Sequence, residues 1–212
     1  SRSNEVSAGV VKTFIYVSQN RGNDANNGLT RGKPVKTLAH AIELANATEN
    51  IVIIDGTFKE TDLVIDYNLT ITAENNAAIT VTGNGFIISD GDVKIENLSF
   101  INCKYGSSTK NRIISQTSNG FLILDGCVFE GNNYKTHVEA NKLEAENLVF
   151  NNNKDGSVIK ADSLSIKSST FTNNVATYSL SKALVMYKST SPSKLEAENL
   201  TFIGNTVHSG CI

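Results

Sequence analysis

The 212 residues carry a formal net charge of −2, 40% hydrophobic residues, only four Arg and no Trp. Basic residues are dispersed, so no patch for a phosphate backbone forms and nucleic acid is excluded as a partner. No apolar run reaches the roughly 20 residues of a membrane-spanning helix, so no membrane insertion by this segment is expected.

Cys103, Cys127 and Cys211 are odd in number and lack metal-type spacing. They read as small buried residues, with a disulfide as the alternative, and no metal or cofactor is expected. Asparagine is over-used: there are 26, many in clusters such as Asn151-Asn152-Asn153. Asn tolerates the left-handed region, so the chain is expected to be rich in tight corners.

In chain order, TFIYVS (13–18) reads as a strand, NRGNDANNGLTRGKP (20–34) as a polar loop and TLAHAIELANA (37–47) as a short amphipathic helix. Leu38, Ile42 and Ala45 share one helix face, and Thr37 is the expected N-cap. DANNG (24–28) lacks the acidic spacing of a calcium loop and reads as a turn. Residues 1–50 are therefore expected to cap the domain, and IVIIDGTF (51–58) begins the repeats expected across 51–212.

VIDYNLTITAEN is read as a degenerate first copy with Ile71 in the slot that later copies fill with Phe. VKIENLSFINC, LILDGCVFEGN, KLEAENLVFNNN, LSIKSSTFTNN and KLEAENLTFIGN follow, and they end at Cys103, Asn132, Asn153, Asn174 and Asn205. Periods of this length signal a solenoid. Leu143 and Ala145 alternate with Glu144 and Glu146, as on a strand; Leu148 and Phe150 then turn inward again across Asn147. The equivalent bend slots hold Asn97, Gly126, Ser168 and Asn199, residues suited to a corner near the left-handed region.

Phe100, Phe129, Phe150, Phe171 and Phe202 are expected to stack as an inner row, with Asn132, Asn153, Asn174 and Asn205 forming an amide ladder beside it. A third apolar patch (Ile113-Ile114, Val138, Val158-Ile159, Leu184-Val185, Cys211-Ile212) completes each coil. The fold class is thus all-β: a right-handed parallel β-helix of three sheets and about seven coils, roughly 34 Å long at the usual strand spacing, with a short N-terminal capping helix. The chain stops partway through a coil, so further domains of the same chain are expected at the C-terminal side.

The segment from Tyr16 through Phe58 resembles the N-terminal cap and first coil of the pectin-lyase-like right-handed parallel β-helix superfamily. The units FEGN, FNNN, FTNN and FIGN resemble repeats of chlamydial polymorphic membrane proteins and of adhesin-like surface proteins of methanogenic archaea. The resemblance implies an extracellular or cell-surface, adhesin-like protein, though the fold also serves polysaccharide lyases and hydrolases.

For catalysis, the outward positions Lys94, Glu96, Ile123, Asp125, Glu144, Glu146, Ser165, Lys167, Glu196 and Glu198 alternate in sign and read as a solvated face with cross-coil ion pairs. Asp125, Glu144 and Glu146 are the candidates of an alternative reading, a lyase or glycosidase of acidic polysaccharide, but no catalytic set is assigned. His40, His137 and His208 lack ligand spacing and are placed on the surface or in the cap. Asn46, Asn68, Asn97 and Asn199 lie in Asn-x-Ser/Thr sequons, and the last three are read as bend residues.

Insertions at KYGSSTKNR (104–112) and ATYSLSKALVMYKSTSPSK (176–194) fall on one edge. Tyr105, Tyr134, Tyr178 and Tyr187 are the candidate ligand-binding residues there, since an exposed Tyr suits sugars and protein epitopes. The expected function is a non-catalytic adhesin-like module or stalk that binds carbohydrate or protein on another cell's surface.

Overall fold

A computed structural model describes residues 13–46, 48–177, 183–187, 194–208, 210 and 212. The protein is mostly β, with one short helix, and its strands form parallel sheets of twelve, seven and two strands. Each strand pairs in parallel with the strand one repeat further on, which gives a solenoid-like fold.

The seven-stranded sheet holds the ring column in register: Phe58, Ile79, Phe100, Phe129, Phe150, Phe171 and Phe202 are successive partners. From Phe100 to Phe202 the rings stack at centroid separations of 4.6, 4.6, 5.1 and 4.8 Å with interplanar angles of 2–11°. Those separations track the spacing of paired strands, so the sheet itself sets the ring stack.

The first copy is placed differently from the expectation. Ile71 pairs with Ile51 and Ile95, not with Phe100. Ile79 fills the Phe slot, 21 residues before Phe100, and Phe58 stands a further 21 residues back. YNLT mimics the ENLS corner, but Leu69, Ile71 and Ala73 have the inward parity of Val93 and Ile95 and extend that strand file. Asn68 accordingly has no positive φ, and the corner falls at Asn75 and Asn76 (φ 49° and 54°).

The five bend slots behave as their residue types suggest: Asn97, Gly126, Asn147, Ser168 and Asn199 have φ between 48° and 63°. A second left-handed column, at Asn102, Gly131, Asn152, Asn173 and Gly204, turns the chain immediately before each ladder residue. Its signal was visible in the sequence, where each ladder residue follows an Asn or a Gly.

Between Phe129 and Phe171 two strands are continuous over 14 residues, Asn133–Glu146 and Lys154–Lys167. The equally spaced repeats between Phe58 and Phe100 break at the same place, into Leu63–Asp66 and Leu69–Ala73 and into Phe86–Asp90 and Val93–Glu96. The two long strands join two strand files into the twelve-stranded sheet.

The helix Leu38–Ala45 packs Leu38, Ala41, Ile42 and Ala45 inward at one end of the sheets. Thr37 caps it as expected, its side chain accepting from the His40 N–H at 3.2 Å. The Glu60 carboxylate accepts from the Leu38 and Ala39 N–H groups (2.7 and 2.8 Å), so two otherwise orphaned donors are satisfied by a charge of the favourable sign. Asp24 ties the DANNG turn to the helix start by accepting from the Lys36 and Thr37 N–H groups. Arg31 forks onto Glu74 at 2.7 and 2.8 Å and stacks over Tyr16. Sequence pattern shows none of these long-range clamps.

Candidate functional site

The amide ladder is continuous and directional. Asn153 Oδ1 accepts from the Asn132 N–H (3.1 Å), Asn174 Oδ1 from Asn153 (3.0 Å) and Asn205 Oδ1 from Asn174 (2.9 Å). Each Nδ2 donates back to the carbonyl of the preceding Phe: Asn132 to Phe100, Asn153 to Phe129, Asn174 to Phe150 and Asn205 to Phe171 (2.8–2.9 Å). Every coil thus closes the hydrogen bonds of the one before it.

Of the four tyrosines expected at an exposed edge, Tyr134 is placed inside. Tyr105 and Tyr134 are neighbours at 6.4 Å, as their common offset from Phe requires. Tyr134, however, is fully buried and donates its hydroxyl to the Gly83 carbonyl at 2.7 Å, and Tyr105 packs half-buried against the core. The inward parity of the long strand at Tyr134 overrides the loop character expected there. Tyr187 is half-buried against the same core, and Tyr178 lies outside the described residues.

His137 also departs from its expected surface position. It is wholly buried, with Nδ1 at 3.0 Å from the Ser157 carbonyl and Nε2 at 3.4 Å from that of Asn132. Burial pulls its pKa down to about 4 despite the raising influence of those carbonyls. His40 is half-buried beside Glu43, and His208 is exposed. Cys103 and Cys127 are buried free thiols, pushed up to about 12 by burial, while Cys211 lies outside the described residues.

The surface that does gather polar chemistry is the outer face of the strand file running from Asn50–Asp55 to Leu195–Glu198. Successive coils place Lys94, Ile123, Glu144, Ser165 and Glu196 in one row and Glu96, Asp125, Glu146, Lys167 and Glu198 in the next. Three hollows lie along it. One of about 370 Å³ is bordered by Asn68, Asp92 and Lys94; one of about 340 Å³ by Asp125, Glu144, Glu146 and Lys167; one of about 250 Å³ by Phe121, Lys142, Ser163 and Lys194.

Charges on this face are paired both along and across strands. Lys94 meets Glu96 at 2.6 Å within one strand, Lys194 meets Glu196 at 2.6 Å at the start of another, and Lys167 reaches Glu198 across coils at 3.8 Å. The hydrogen bond to Glu96 raises the Lys94 pKa, and that from Lys194 lowers the Glu196 pKa. Asp125 accepts from Asn147 Nδ2 at 3.0 Å. Among the described residues no group of three or more His, Cys, Asp or Glu is arranged to hold a metal ion. Arg112, in the first insertion, is held elsewhere by Glu139 at 2.6 Å.

No family model matches the chain. The uncharacterized protein YwoF of Bacillus subtilis (strain 168) is 44% identical over 61 residues, which make up 29% of this chain and 12% of that protein. Among solved structures, the GH136 lacto-N-biosidase from Eubacterium ramulus aligns over 91% of this chain and 55% of that one, with 11% identity and a TM-score of 0.39. What the chain has in its own right is a parallel β-sheet, solenoid-like fold with one long polar outer face.

Proposed function

We propose that the chain is a non-catalytic binding module: a right-handed parallel β-helix of three sheets and about seven coils with an N-terminal cap. In this reading it works outside the cell or at its surface, as an adhesin-like element that meets carbohydrate or protein on another cell. The resemblance to the pectin-lyase-like superfamily and to surface-protein repeats supports that setting. In this reading the contact surface is the polar outer face, since Tyr134 is fully buried and Tyr105 and Tyr187 are half-buried.

The single observation that carries the reading is the file of three hollows on one rigid, charge-paired face. Residues on strands are held more tightly than loop residues, so an extended ligand meets a preformed row of donors and acceptors. The test is retention of the full chain on arrays of glycans and cell-surface proteins. A defined subset of ligands is expected to retain it, and the double charge reversal Glu144→Lys and Lys167→Glu is expected to weaken retention about tenfold, or 1.4 kcal/mol. Retention that ignores the reversal, or none on any array, overturns the reading.

One observation favours a second reading, a polysaccharide lyase or glycoside hydrolase acting on acidic polysaccharide. Asp125, Glu144 and Glu146 border one hollow together with Lys94 and Lys167. Carboxylates on adjacent coils are a geometry from which acid–base chemistry can be built. Incubation with polygalacturonate, with and without Ca²⁺, tests it: product formation that Glu146→Gln abolishes would replace the binding-only reading.

A further inference from the structure

We infer that the hollow beside Phe121 is a subsite for a single neutral sugar ring; the inference rests on the binding reading and specifies its ligand. Phe58, Phe86, Phe100, Phe129, Phe150 and Phe171 are all buried, whereas Phe121 is 39% exposed. Phe14 and Phe202 are half-buried, so Phe121 is the most exposed Phe ring and offers an apolar plate, the partner that the C–H face of a pyranose needs.

The register explains why a hollow exists. Phe121 directly precedes Leu122, which is paired with Val93 and Leu143, so it stands in a row that follows Asp92 and continues through Lys142, Ser163 and Lys194 on the following coils. The neighbouring row runs Ile123, Glu144, Ser165 and Glu196. Long side chains stand on the flanking coils, while the intervening coil offers only Ser163 and Ser165. The result is a notch with a hydroxyl floor, walled by Lys142 and Glu144 on one side and by Lys194 and Glu196 on the other.

Size, charge and hydrogen-bonding capacity each narrow the occupant. The notch has about 250 Å³, just below the roughly 300 Å³ at which pockets for drug-sized ligands begin, a size that suits one sugar ring. Its walls carry two ammonium and two carboxylate groups, which balance; a neutral polyol that both donates and accepts suits them better than an acidic sugar. Both serine hydroxyls are held only by 3.4 Å contacts, Ser163 to the Lys194 carbonyl and Ser165 to Glu196. That is well beyond the roughly 2.8 Å of a good O–H···O bond, so a sugar hydroxyl would improve on them. The Lys142 ammonium lies over the Phe121 ring, 5.2 Å from its centre, and is held by the Asn119 carbonyl at 2.8 Å, so the sugar meets the part of the ring that Lys142 leaves exposed.

The test is an amide-resolved NMR titration of the full chain with methyl glycosides of glucose, galactose, mannose and N-acetylglucosamine, and with methyl galacturonate. At least one neutral glycoside is expected to shift the amides of residues 142–144, 163–165 and 194–196, more tightly than the galacturonate does. Phe121→Ala is expected to weaken that binding about tenfold, the loss of one ring contact, and Ser165→Gln to abolish it by filling the floor. Both positions lie on the surface, and matching spectra away from the notch certify each variant's fold. Absence of shifts with every neutral glycoside, preference for the acid, or equal binding by Phe121→Ala overturns the subsite. Array retention that survives such a result leaves the binding-module reading standing, so the two can fail separately.

Discussion

Cys103 occupies a ladder position filled by Asn in the four following coils, and it performs both Asn roles weakly. Its Sγ accepts from the Val81 N–H at 3.3 Å and points at the Ile79 carbonyl at 3.5 Å, while its own N–H donates to Asn132 Oδ1 at 2.8 Å. Replacing the sulfur with an amide restores two full hydrogen bonds, each contributing about 1 kcal/mol. Cys103→Asn is thus expected to raise the urea midpoint, and Cys103→Ala, which orphans the buried Val81 N–H, to lower stability by about 1–3 kcal/mol. In a Cys211→Ser background, neither Cys103 nor Cys127 is expected to react with a thiol reagent at pH 8, because burial keeps both protonated; prompt labelling of the native protein would contradict this. At this scale the sequence was informative wherever a residue type is forced by backbone geometry. The Asn, Gly and Ser corners were readable because few residues tolerate positive φ. The side-chain partners of Asp24, Glu60 and Arg31 were not, since each reaches 12 to 43 residues along the chain.

Among the elements, the ring column separates interior from edge. Phe150 is fully buried between two stacked rings, whereas Phe202 is half-buried with one neighbour. Phe150→Ala is expected to cost about 3–5 kcal/mol in chemical denaturation, and Phe202→Ala clearly less. Equal losses would show that the column does not act as a stack. The misplacement of the first copy has the same root. Phe at a fixed position identifies a coil at once, but Ile79 and Ile71 are chemically alike, and only pairing partners distinguish the ring slot from the strand before it. Likewise nothing local in NYKTHVEANKLEAE announces one 14-residue strand, since equally spaced copies earlier in the chain break into two. The candidate site was half legible. The alternating charges on the outer face follow from parity, but the notch arises from two serines lying between longer residues on different coils, a comparison across register that a linear reading does not make. Tyr134 was misjudged because an offset from Phe predicts proximity and says nothing about which way a side chain faces.

On the scale of the whole molecule, acid is expected to weaken the fold through one imidazole before it reaches most carboxylates. His137 is buried and its pKa falls to about 4, so the native state keeps it neutral while the unfolded chain protonates near its ordinary value of 6.5. Stability is therefore full above about pH 6.5 and declines as pH falls towards 4. Around it lie Asp155 paired with Lys135, Arg112 paired with Glu139, and the Tyr134 ring. Melting His137→Gln alongside the parent at pH 7 and pH 4.5 checks this: the variant is expected to lose less on acidification, and identical losses would place the acid sensitivity elsewhere.

The one-way amide ladder has a consequence for biosynthesis. Because the asparagine of each rung completes the backbone of its predecessor, a newly formed turn has open acceptors and donors only on the side that emerges later from the ribosome. The helix-covered end leaves the ribosome before the later turns, so it is placed to serve as their template. The polarity of translation and the polarity of the ladder therefore coincide, and folding during synthesis is expected to add turn upon turn in chain order.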